Sequence, residues 1–156
     1  MIIHENPRIL VVMGSDSDLS VMTNCMKTLD HFCASYDALI CSAHRTPDEC
    51  ATIAREAVGR GICVIIAAAG GAAHLAGVIA AHTILPVIAV PIASTPLAGF
   101  DSLLSMVQMP PGVPVATVAI DGARHAGILA VQILSVKYPE LREVVKEFKA
   151  RMAAAV

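Results

Sequence analysis

Short apolar runs and helix-spaced apolar positions take turns along the whole chain. Arg8-Ile9-Leu10-Val11-Val12-Met13 is an apolar run that stops at Gly14, and it predicts a buried strand. Leu19, Met22, Met26 and Leu29 then recur at helical spacing. Tyr36 to Cys41 predicts a second strand, and Thr46 to about Val58 a helix closed by Gly59 and Gly61. Ile62 to Ala67 is wholly apolar and rich in β-branched residues, a third strand. A small-residue helix follows over Ala73 to Ala81, then a strand over Val87 to Val90. Leu97 to Met109 predicts a helix that ends at Pro110-Pro111. Val115 to Ile120 is the last predicted strand and Ala123 to Val136 the next helix. Pro139 opens a charged terminal helix that runs to about residue 153.

Strands therefore alternate with helices five times. Strands that are apolar at nearly every position are buried on both faces, as in parallel sheets covered by helices. The predicted fold class is α/β, a doubly wound parallel sheet in a three-layer α/β/α sandwich. One domain is expected over residues 1–156, with its core at about 8–136 and the charged helix at about 139–153.

Composition sharpens this picture. Of 156 residues, 56% are hydrophobic and 15% charged, which excludes a disordered chain. A net charge of -2 leaves no basic footprint for nucleic acid. Between Gly61 and Ile120 the only charged residue is Asp101. A membrane protein would also show such a stretch, but a span needs about 20 consecutive apolar residues. Here the runs break at Gly70-Gly71, His74, Gly77, His82-Thr83, Pro86, Pro91 and Ser94-Thr95-Pro96. Met1 to Pro7 carries His4, Glu5 and Asn6 and no apolar segment, so no signal peptide is expected there. A cytoplasmic protein is the expectation. Five cysteines, an odd number without C-x-x-C, read as free thiols, and six histidines show no metal-ligand spacing. The Ala-rich helices have thin polar faces, so a homo-oligomer is expected to cover them.

In doubly wound sheets, ligands bind beyond the carboxyl ends of the strands. Four loops fall there. Gly14-Ser15-Asp16-Ser17-Asp18 is neither G-x-G-x-x-G nor a P-loop. It is a hydroxyl-rich turn at a helix start, suited to an anion or, through its carboxylates, to a ribose diol. Plain capping by Ser17 or Asp18 is the competing explanation. In Ser42-Ala43-His44-Arg45-Thr46-Pro47-Asp48-Glu49, Thr46 and Glu49 have the spacing of a capping box, with Pro47 at the first helical position. Arg45 beside a serine hydroxyl can hold a phosphate. His44 is the one side chain of this loop of a type that changes charge near neutral pH. Ala69-Gly70-Gly71-Ala72-Ala73-His74-Leu75 lets backbone approach a ligand, or simply makes a tight turn. Ser94 to Ser102 is a lid or an interface loop, in which Asp101 needs a partner or a capping role.

These segments together, with Asp101-Ser102-Leu103-Leu104-Ser105-Met106-Val107-Gln108-Met109-Pro110, resemble the class I 5-(carboxyamino)imidazole ribonucleotide mutases of purine biosynthesis. The resemblance covers about Arg8 to Leu134, in the family's order. It implies a flavodoxin-like three-layer sandwich and a homo-octamer. It implies that Ser15 and Asp18 bind the ribonucleotide, with Ser42 and Arg45 at its phosphate. His44 matches the family's catalytic histidine. Gly70, Gly71, Ala72 and His74 match the loop over the imidazole and its carboxylate. Asp16, Phe100 and Pro111 depart from the family pattern without touching a matched position. The implied reaction moves a carboxylate from the exocyclic nitrogen to ring carbon 4, with His44 as general acid and base and no cofactor or metal. Two alternatives stay open. A direct carboxylase using free carbon dioxide is opposed by Arg45-Thr46, where that class usually shows Lys-Gly. A flavin- or nucleotide-binding module is opposed by loops whose only aromatic residue is Phe100.

Overall fold

A computed structural model describes residues 8–155. The expectation about Met1–Pro7 lies outside them. Five strands form one parallel sheet: β1 (Ile9–Met13), β2 (Tyr36–Ile40), β3 (Val64–Gly70), β4 (Val87–Ile92) and β5 (Ala116–Thr117). Six α-helices connect and cover them: α1 (Leu19–His31), α2 (Pro47–Glu56), α3 (Leu75–His82), α4 (Phe100–Val107), α5 (Ala123–Ser135) and α6 (Pro139–Ala154). A 3-10 turn, Asp16–Asp18, precedes α1. The strand order is β2-β1-β3-β4-β5, the flavodoxin-like order.

β1, β3 and β4 are buried at every position save the last residue of β3. Alternation of their side chains feeds two cores. Ile9, Val11, Val64, Ile66, Ile88 and Val90 point to the side closed by α1, α5 and α6. Leu10, Val12, Ile65, Ala67, Val87 and Ala89 point to the side closed by α2 and α3. The expectation of burial on both faces holds for these three strands. It does not hold for β2, half-exposed throughout, because β2 is the sheet edge. Cys25 and Cys50 lie in the two cores, and burial pushes each thiol up to about 12. All five cysteines are free.

Several boundaries differ from the sequence pattern, those of the strands for reasons of pairing. β3 begins at Val64, because Val64 is the residue in register with Ile9 of β1. It runs on through Ala68 and Ala69 to Gly70, because β4 pairs with it that far. β5 is reduced from Val115–Ile120 to Ala116–Thr117, the only residues opposite Ile88 and Ala89. That short edge accommodates Pro91 inside β4. The Pro91 carbonyl faces the β5 side, where it accepts the Asp121 N–H at 2.8 Å. Its missing N–H falls on the same side, beyond the end of β5, so no ladder bond is lost. The helix expected over Leu97–Met109 starts only at Phe100. The segment before it is a turn, with positive φ at Ala98 and Gly99.

Register also levels the strand ends. Met13 lies between Ile40 and Ala68, and Gly70 opposite Ile92. The loops after β1, β2, β3 and β4 therefore leave the sheet side by side. Among the described residues no helix is long and apolar enough to cross a membrane.

Candidate active site

The loop after β1 is closed by its own side chains. Ser15 is in extended conformation and caps the 3-10 turn, its Oγ accepting the Ser17 N–H at 3.4 Å. Asp18 reaches back, and its Oδ2 accepts the Ser15 N–H at 3.0 Å. The capping box is thus Ser15 with Asp18, rather than a cap by Ser17 or Asp18 alone. Asp18 is buried, and loss of solvent raises its pKa above the ordinary carboxylate value; the bond from Ser15 N–H opposes the rise.

The loop after β2 departs from its predicted capping box. Thr46 makes no side-chain cap to α2. Its hydroxyl turns back and donates to the Ser42 carbonyl at 3.1 Å, while accepting the Ser42 N–H at 3.2 Å. Ser42 Oγ accepts the Arg45 N–H at 3.2 Å. The Thr46 hydroxyl both donates and accepts within the loop, which leaves it unavailable to cap Glu49, while Ser42 Oγ accepts one bond and keeps its own proton to donate. The tied loop presents His44 and Arg45 outward. Arg45 Nη2 donates to the Gly14 carbonyl at 3.3 Å and so bridges the first two loops.

The loop after β3 brings His74 to the start of α3. His74 Nδ1 and His44 Nε2 are 2.8 Å apart, with the rings edge to face. One N–H joins the two imidazoles, residues 30 positions apart in sequence. Ser15, Asp18, Ser42, His44, Gly70, Ala72 and His74 line one cavity of about 190 Å³. The other two predicted residues do not line it. Arg45 stands on the Gly14 carbonyl, and Gly71 faces Thr95. Ser17 and Ser94 also line the cavity. Ser94 sits in a loop that the sequence marked as a lid or interface, and only the β3–β4 register places it beside Gly70. A larger cavity of about 560 Å³ between α1 and α5 shares none of the three loops built above. Among the described residues no group of three or more His, Cys, Asp or Glu is placed to hold a metal ion.

Flavodoxin-like order, with a glycine- and hydroxyl-rich cavity at the β1/β3 switch point, defines a doubly wound α/β protein with a small-molecule site. Within that class the chain belongs to the AIR carboxylase family, which it matches over residues 8–155. It is 58% identical over 146 residues to the N5-carboxyaminoimidazole ribonucleotide mutase of Pyrococcus abyssi, covering 94% of this chain and 84% of that protein. Identity to the Thermotoga maritima protein of the same name is 57%, covering 96% and 88%. A Schizosaccharomyces pombe protein named phosphoribosylaminoimidazole carboxylase is 53% identical over 97% of this chain and 28% of its own length. The crystal structure of Treponema denticola PurE superposes with a TM-score of 0.86 at 28% identity, covering 96% of this chain and 94% of that one.

Proposed function

We propose that the chain is an isomerase of purine biosynthesis that converts 5-(carboxyamino)imidazole ribonucleotide to the 4-carboxylate ribonucleotide. The observation that carries this reading is the His44–His74 pair, 2.8 Å apart in a cavity whose other walls are glycine, alanine and serine save for Asp18 and Leu75. Relatives that bear the mutase name at 54–58% identity support it.

Arg45 at the rim and the Ser15 and Ser42 hydroxyls take the phosphate and ribose side, with Asp18 accepting from the ribose diol. His44 gives a proton to the carbamate nitrogen. The nitrogen–carbon bond breaks, its electron pair stays on nitrogen, and carbon dioxide is freed. The aminoimidazole is an enamine, and its carbon 4 attacks the carbon dioxide to form a carbon–carbon bond. His44, now neutral, removes the proton from carbon 4, and the ring regains its aromatic electrons. Atoms and protons balance, and the imidazole ends as it began. His74 holds the His44 ring in one orientation between the two transfers. Gly70 and Ala72, with Ala69, form an uncharged wall that keeps carbon dioxide near the ring, and Gly71 behind them shapes the turn. Positioned proton transfer typically contributes 10²–10⁴-fold, and positioning of the reacting groups supplies much of the rest. The same reading places one domain per chain, eight chains per assembly and the assembly in the cytoplasm.

The name of the S. pombe relative favours a second reading, carboxylation by free carbon dioxide. One experiment separates them. Substrate labelled in its carbamate carbon is incubated in unlabelled bicarbonate, without ATP or metal. The carbon-4 carboxylate is then weighed by mass spectrometry, with solution decarboxylation subtracted. A mutase retains most label in early turnovers, whereas loss of nearly all of it moves the assignment to the carboxylase. His44→Asn, run alongside, is expected to bind the ribonucleotide and lose at least ten-fold in rate. A variant above about a tenth of the wild-type rate removes His44 from the role.

A further inference from the structure

The loop after β4 is braced on both sides of one residue. Ala93 N–H donates to Asp121 Oδ1 at 3.0 Å. Thr95 Oγ1 donates to Asp101 Oδ2 at 2.6 Å and accepts the Leu97 N–H at 3.2 Å. That bond holds Asp101 below the ordinary carboxylate value, so it stays an anion and an acceptor. Ser94 lies between these two braces, and its N–H donates to the Ile92 carbonyl at 3.1 Å. Its hydroxyl has no hydrogen-bond partner among the described residues.

Gly70 explains where that hydroxyl goes. A Cβ at residue 70 would collide with Ser94 Oγ and Cβ and crowd the Ile92 carbonyl. The space a side chain would take at Gly70 is therefore filled by the Ser94 hydroxyl, on the wall of the cavity that holds His44 and His74. A glycine was expected here for a turn or a close backbone approach. Its φ is not in the left-handed region, unlike that of Gly71, so the turn does not require it. Room for Ser94 does.

We propose that Ser94 contacts the substrate, its Oγ–H donating to the carboxylate in transit. This rests on the mutase reading and assigns it a residue. The chemistry of the travelling group suits a hydroxyl. That group is a carboxylate at the start and the end of the reaction and neutral carbon dioxide between. A cation in place of Ser94 would favour the charged forms strongly and raise the cost of releasing carbon dioxide. A neutral donor orients the group with a smaller bias. Ser15 and Ser42 are engaged within their own loops, by Asp16 and by the Arg45 N–H, and Arg45 is held on the Gly14 carbonyl.

The test compares two ligands. Calorimetry measures binding of the 4-carboxylate ribonucleotide and of the aminoimidazole ribonucleotide that lacks the carboxylate, to wild type and to Ser94→Ala. S94A is expected to lose roughly ten-fold or more in affinity for the carboxylated ligand and to bind the other within two-fold. It is also expected to release more carbamate label to the buffer during turnover. A merely structural role would weaken both ligands together, and that result overturns the assignment. So does unchanged affinity for both. If S94A does not fold, Ser94→Cys, similar in shape and a weaker donor, is judged by the same outcomes. Wild-type protein that fails to turn over the carboxyamino ribonucleotide sinks the mutase reading and Ser94 with it. Wild-type turnover with an unaltered S94A sinks only the assignment of Ser94.

Discussion

Asp18 is held by two opposing demands. It is buried, yet it closes the first loop through the Ser15 N–H and faces the ligand cavity. Burial raises its pKa, so ionising it costs more in the folded chain than in the unfolded one. The stability it contributes is complete below the ordinary carboxylate value and is lost as pH rises through the raised one. At neutral pH the folded protein carries that cost. Asp18→Asn keeps an acceptor for Ser15 N–H and removes the charge. It is expected to melt at the wild-type temperature or above at pH 7, with the difference vanishing below the carboxylate range. Ribonucleotide affinity is expected to fall about ten-fold, through loss of a charge-assisted hydrogen bond. Thermal melts at pH 7 and pH 3 and calorimetry check both halves. A neutral-pH melt below wild type would show that the carboxylate is needed for the fold. The sequence marked Asp18 as a cap or a ribose acceptor, and it serves as the cap through Ser15. Arg45 was legible as a residue type, but its reach to the Gly14 carbonyl depends on how the Thr46 and Ser42 hydroxyls fold the loop.

At the scale of elements, α1 and α5 lie side by side over one face of the sheet and meet at Gly127. A Cβ there would come within 3.1 Å of the Thr28 side chain and 3.2 Å of the Cys25 carbonyl. Gly127 is buried inside a helix, where glycine by itself costs about 1 kcal/mol relative to alanine. Close approach of the two helices offsets that cost. Gly127→Leu gains helix propensity and still is expected to destabilise the fold, because the backbone of α1 cannot give way without opening the core beneath it. The expected loss is about 1–3 kcal/mol, read from a urea midpoint. An unchanged midpoint would mean that the helices separate freely. Periodicity located both helices from their apolar positions. It is silent on which helices touch, so Gly127 carries no mark in the sequence.

The whole molecule shows apolar surface where the sequence lacks charge. Phe100, Leu104 and Val107 stand on one face of α4 and are exposed, Phe100 by 63%. Ile84, before β4, is 90% exposed. Among the described residues nothing covers them, and a second copy is the proposed occupant. Light scattering is expected to give an assembly above a tetramer, at eight chains of 16.2 kDa. A mass at or below four chains defeats the octamer. Phe100→Glu with Leu104→Glu is expected to lower the mass while leaving the helical signal intact.

Sequence alone determined the element order, the parallel sheet and the identity of the strand-end loops. These follow from local periodicity and from strands apolar at every position, and both are properties of neighbours along the chain. Ser15, Asp18, Ser42, His44, Gly70, Ala72 and His74 could be named from their motifs and do meet in one cavity. Tertiary structure decided what depends on distance through space. Pairing with β1 and β4 set the limits of β3 and cut β5 to two residues. Competition for the Thr46 hydroxyl removed one expected capping box, and a backward reach by Asp18 made another. The contact between His44 and His74, and the seat of Ser94 in the space left by Gly70, exist because parallel register brings the ends of four strands level. Hydrophobic periodicity says that a strand is buried, but not which strand lies beside it, and the site is built from those neighbours.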